Sequence, residues 1–156
     1  MAAPLATPLS LSQASRNMGA VLILSLVGVM FGGSVLTWRI VNLPAYLASP
    51  LHQDLWRAGH AHAALFLLLA LVLLPWIDAA RGSEGLRWAL RILISSASIT
   101  FPLAFFLGAP RPATASPEPA LGLLIPGAIL LVTGLTMLVW ALLRGAPPSL
   151  GQEEAE

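Results

Sequence analysis

Charged residues interrupt this chain rarely, and their spacing sets the pattern. They bound four long uncharged stretches at 17–38, 58–77, 92–110 and 119–143, which are 22, 20, 19 and 25 residues long. A helix needs about 20 predominantly apolar residues to cross a hydrocarbon core about 30 Å thick. Each stretch therefore predicts one pass. With ends adjusted for helix-favouring flanks, the passes are expected at about 17–38, 58–77, 88–108 and 121–143. The fold class is then all-α: an integral membrane four-helix bundle, with one domain at 17–143.

The flanks carry a different pattern. Residues 1–16 hold Pro4, Pro8 and several Ser and Ala, and predict a loose N-terminal tail. The first apolar run is too long for the 7–15-residue core of a cleaved signal, so it is expected to stay as a helix. Residues 144–156, "RGAPPSLGQEEAE", are polar and acidic and predict a disordered tail. Trp38, Trp56, Trp76, Trp88 and Trp140 all fall near proposed helix ends, where an indole keeps its ring apolar and its N–H wet.

Within the spans, several features predict packing. Gly28 and Gly32 form a G-x-x-x-G pair followed by Gly33, and small residues four apart let helix backbones approach. Ser95, Ser98 and Pro102 share a face of the third span, and Pro126 with Gly127 predicts a kink near the start of the fourth. Arg91 is placed to snorkel toward headgroups. Met18, Met30 and Met137 read as packing residues. The longest connection, "RIVNLPAYLASPLHQDLWRAG", carries Pro44, Tyr46, Leu47, Leu51 and Trp56. It is expected to lie along the interface.

Composition narrows the chemistry. The chain is 57% hydrophobic and 10% charged, against roughly 45–50% and 25% for soluble domains. The eight arginines are dispersed among helix ends, so no basic patch points to nucleic acid. Cysteine is absent, which excludes disulfide exchange and thiolate metal sites. Arg16, Arg81, Arg87, Arg91 and Arg144 fall on one side of a four-pass topology, and Arg39, Arg57 and Arg111 on the other. Five against three places both termini in the cytoplasm by the positive-inside rule, in what is expected to be a bacterial plasma membrane.

The candidate chemistry sits at the opposite, outer end. His52, His60 and His62 fall within eleven residues, with Asp54 and Arg57 among them. Ionisable groups in or beside membrane spans tend to mark function. On a regular helix His60 and His62 lie about 200° apart, so they cannot chelate one ion together. Gly59, Ala61, Ala63 and Ala64 leave room beside the rings for a helix backbone or a flat ligand. Three uses compete with a purely structural one. A neutral imidazole can ligate haem b in a dry slot, and His60 is favoured over His62 because its face continues through Ala63, Ala64 and Leu67. Alternatively His52, Asp54, His60 and His62 hold a divalent metal, provided that residues 51–58 fold back against the second span. A quinone or proton site is the third use.

The run "GHAHAALFLLL", after "GVMFGG" in the first span, resembles a group of short four-helix membrane proteins. In those, paired histidines open the second helix, and they are similar to part of haem–copper oxidase subunit I. The likeness covers roughly residues 17–75. It implies that His60 or His62 ligates a low-spin haem near the outer membrane face. This chain lacks the Asn and Gly-Trp that follow the histidines in that group, and its third span has no histidine. A second axial ligand would have to come from a partner or from the cluster itself. The expected function is a haem-binding or redox-associated accessory subunit, with a non-enzymatic structural subunit and a metal-binding or transport protein as alternatives. The expected partners are the lipid bilayer and a homo-oligomer or larger membrane complex.

Overall fold

The computed structural model describes residues 11–110 and 116–144. The tails at 1–10 and 145–156 and the segment 111–115 lie outside these residues. Every element described is helical: α1 (Gln13–Asn42), the single turn α2 (Pro44–Leu47), α3 (Pro50–Ala79), α4 (Glu84–Gly108), a 3-10 turn (Pro119–Leu123) and α5 (Leu124–Leu143). Four segments are long and apolar enough to cross a membrane: α1, α3, α4, and the 3-10 turn continued by α5.

The helices run past the uncharged stretches that predict them. α1 and α3 have 30 residues each, about 45 Å at 1.5 Å per residue. That matches a bilayer with its headgroups rather than its hydrocarbon core alone. Breaks fall where proline dictates. Leu43 and Ser49 take extended backbone (φ −121°, ψ 92° and φ −122°, ψ 88°) before Pro44 and Pro50, because a residue preceding proline is pushed out of the helical region. The connection expected along the interface is therefore mostly helix. Residues 51–58 form the first turns of α3, continuous with the histidine segment.

α3 and α4 are joined by a tight turn in which Gly82 adopts φ +139°, a conformation that costs glycine little. Ser83 caps α4, its hydroxyl accepting from the Leu86 N–H. At the start of α5 the chain changes from 3-10 to α at Leu124. Pro126 lies in the first helical turn, where the missing N–H would have had no intrahelical partner.

Packing follows chain order: α3 lies against α1, α4 against α3, and α5 against α4, while no close backbone approach links α1 to α5 among the described residues. The four helices form an open row rather than a closed bundle. Leu22, Leu67, Leu74, Ile77, Leu90, Ile94 and Leu138 fill the interior. The edge helices present large apolar side chains outward, with Leu24 73% and Phe31 71% exposed on α1.

Close approaches link α4 to α5, and the glycine pair of α1 is not part of them. A Cβ on Gly127 would lie 3.0 Å from the backbone of Phe101, and one on Gly134 2.8 Å from Ile94 Cγ1. A Cβ on Gly28 would meet nothing within 4 Å. We therefore expect Gly127→Ile to destabilise the protein by about 1–3 kcal/mol through overpacking, with Gly28→Ile close to neutral for the isolated chain. Thermal unfolding of both variants in detergent checks this, and equal midpoints would refute the α4–α5 contact.

Candidate functional site

The three histidines lie on the first half of α3, and the helix sends them to different neighbours. His52 donates from Nδ1 to the Pro110 carbonyl at 2.8 Å. Its ring stacks on Trp56, one turn along (5.5 Å, 18°), and meets Tyr46 edge-on at 5.6 Å. It therefore ties the start of α3 to the chain leaving α4. Asp54 faces outward and pairs with Arg57 at 3.7 Å, both side chains more than half exposed.

His60 turns toward α1. Its ring edge fits the notch left by Gly32 and Gly33, and a Cβ on Gly33 would lie 3.1 Å from both Cε1 and Nε2. The glycines of α1 thus receive an imidazole rather than another backbone. His62 turns the other way, toward α4. It donates from Nδ1 to the Ala58 carbonyl at 2.7 Å. Its ring stacks on Phe105 (4.9 Å), tilts against Phe101 (5.3 Å) and meets Phe66 edge-on (5.6 Å).

This geometry bears on both ligand expectations. The four-residue metal set required 51–58 to fold back, and that segment is instead the straight beginning of α3. Among the described residues, no three His, Asp or Glu side chains come together in a way that could hold a metal ion. For haem, the ring edge of His60 that carries Nε2 faces Gly33 of α1. Ala63 and Leu67, on the same face, line a groove of about 210 Å³ between α1, α3 and α4. Pockets that bury drug-sized ligands hold roughly 300–1,000 Å³.

At the opposite end lies a polar cluster that the sequence reading missed. Arg91, expected to snorkel, is fully buried. Its Nη2 donates to Asp78 Oδ1 (2.7 Å) and Ser12 Oγ (3.1 Å), its Nε to Ser15 Oγ (3.0 Å), and its Nη1 to Glu84 Oε1 (2.8 Å). Ser12 and Ser15 in turn donate their hydroxyls to Asp78 Oδ1, and the Ser12 N–H bonds Oδ2. Ser12 also caps α1 by accepting from the Ser15 N–H. One guanidinium therefore joins the first turn of α1, the last turn of α3 and the first two turns of α4. The sequence signal was the lone Asp78 closing an apolar stretch, a short turn away from Arg91. The serine pair could not be matched to it without knowing which helix lay alongside.

Compared with known proteins, the chain matches no family model, no curated protein and no solved structure.

Removing one partner of a buried ion pair strands the other charge, at a cost of roughly 3–5 kcal/mol. We expect Arg91→Met to destabilise by that order, with a smaller loss in Arg91→Met combined with Asp78→Leu than the two single losses added. A double-mutant cycle on thermal unfolding should give a coupling of about 0.5–3 kcal/mol. Strict additivity would show that the two groups do not act on each other.

Proposed function

We propose that this chain is an integral membrane protein that crosses the bilayer four times, with both termini cytoplasmic, and serves as a non-enzymatic helical subunit of a larger membrane assembly. One observation carries the non-enzymatic reading: all three imidazoles are occupied in helix packing. His52 is tied to Pro110, His60 is seated against Gly33, and His62 is bonded to Ala58 within a set of phenylalanine rings. The polar cluster at the other end is equally committed, Arg91 and Asp78 each being bonded to several neighbours. The open row supports the assembly. Its edge helices offer broad apolar faces to lipid or to partner helices, and Gly28 leaves a low spot on one of them.

The orientation rests on the arginine asymmetry, and the absence of cysteine makes it directly testable. Ser49→Cys, in the α2–α3 connection, should react with a membrane-impermeant maleimide on intact cells. Ser83→Cys, in the α3–α4 turn, should react only after permeabilisation. The reverse pattern would invert the topology, and extraction of the protein by alkaline carbonate would refute the membrane reading itself. Co-purification of a stable larger complex in mild detergent tests the subunit role, and a lone monomer at native expression levels would count against it.

A second reading, haem b ligation by a redox-associated subunit, is favoured by one feature of His62. Donation from Nδ1 to a backbone carbonyl fixes the tautomer and leaves the lone pair on Nε2, the arrangement commonly found behind ligating histidines. Of the two histidines that the resemblance implies, this moves the ligand candidate from His60 to His62; His52 makes the same kind of bond, to Pro110, but lies outside that motif. The structural reading expects purified protein with no Soret absorption after expression with ample haem. A Soret and reduced-minus-oxidised α band that disappear in His62→Ala and persist in His60→Ala and His52→Ala would replace it with the haem reading.

A further inference from the structure

The groove of about 210 Å³ runs between α1, α3 and α4, with Ser25 and Val29, Ala63 and Leu67, and Pro102 and Phe106 on its walls. It offers no free hydroxyl. Ser25 Oγ donates to the Val21 carbonyl (2.9 Å), and Ser98 Oγ, also on the wall, donates to the Ser95 carbonyl (2.7 Å). Its occupant along this length is therefore hydrocarbon. A column of contacts leads from the wall to a charge. Phe106 meets Trp56 edge-on at 5.5 Å, and the guanidinium of Arg39 lies over the Trp56 ring, 4.3 Å from its centre. Among the described residues Arg39 pairs with no carboxylate, in contrast to Arg57, Arg87 and Arg91. The indole beneath it keeps its N–H buried without an acceptor.

The vertical spacing matches one kind of molecule. Trp56 lies seven residues before Ala63 on α3, about 10 Å along the helix axis. A headgroup layer adds roughly 5–7 Å to each side of the hydrocarbon core. Arg39 and Trp56 then stand at headgroup level, Ala63 a few ångströms inside the acyl-chain region, and Leu67 and Val29 about 10 Å inside it. We propose that this groove is a specific site for one anionic phospholipid, its phosphate at Arg39 and one acyl chain along Ala63 and Leu67. The site rests on the four-pass membrane reading. It gives the open row a boundary lipid in the groove between α1, α3 and α4.

The full-length protein, delipidated and returned to phosphatidylcholine nanodiscs doped with phosphatidylglycerol, tests this by native mass spectrometry. An arginine near anionic lipid contributes about 1 kcal/mol, so wild type should retain one phosphatidylglycerol with about fivefold preference over phosphatidylcholine. Arg39→Gln should abolish the preference while a lipid is still retained. Ile99→Trp, at an exposed wall position, should reduce retention of both lipids, with Leu103→Trp as a second plug should the first fail to fold. Equal retention of the two lipids in wild type, unchanged by Arg39→Gln, would mean an adventitious lipid only and overturn the proposal. Retention of an isoprenoid quinone or a second copy of the chain in the groove would overturn it as well. In either case a protein embedded in the nanodisc leaves the four-pass reading standing, whereas failure to enter the bilayer removes both.

Discussion

A fully buried guanidinium inside a largely apolar helix row is the constraint on which the rest of the molecule depends. Arg91 cannot be left uncompensated at that position, since an unpaired charge out of water costs several kcal/mol. Its partners come from three separate helices. Meeting them at hydrogen-bond distance fixes the register of α1 against α3 and of α3 against α4. Apolar side chains alone specify such registers weakly, because one leucine replaces another as a neighbour at little loss. Hydrogen bonds with directional donors do not tolerate a sliding helix.

From that end the helices rise together, and the other end inherits their placement. α1 reaches the histidine level with Gly32 and Gly33 facing α3, so a ring can enter where a larger side chain would hold the helices apart. α4 arrives with Phe101 and Phe105 facing His62 and with Phe106 facing Trp56. The imidazoles act as polar-edged wedges in these contacts, with His52 and His62 donating to carbonyls on the way. The α4–α5 contact has a different character, since backbone meets backbone at Gly127 and side chain meets backbone at Gly134. Two means of close approach therefore operate in one row: rings seated on glycine at one contact, helices seated on glycine at the other.

The open row also relates to the outward apolar surface. A closed bundle would bury α1 against α5. Here each edge helix has a single major neighbour, and large side chains such as Leu24 and Phe31 point away from the protein. In water such a surface would drive aggregation. In hydrocarbon it costs nothing, because lipid tails are as apolar as leucine.

Length and apolarity were legible in the sequence by themselves. Four uncharged stretches near 20 residues admit helices and little else, since a backbone in hydrocarbon must satisfy its own hydrogen bonds. The divergence of His60 and His62 was legible as well, because helical geometry fixes the angle between positions two apart. Which helix each ring would meet was not. That Gly33 rather than Gly28 forms the intramolecular notch, that Gly127 and Gly134 make the close approach, and that Arg91 is enclosed rather than snorkelling all depend on neighbours distant in the chain. Ser12 and Arg91 are separated by 79 positions, and their bond exists only once α1 lies across the α3–α4 turn. Local pattern sets what each segment is, through backbone hydrogen bonding and hydrophobicity. The pairing of segments set which polar groups found each other, because a buried charge takes its partners from whatever helix packing brings within reach.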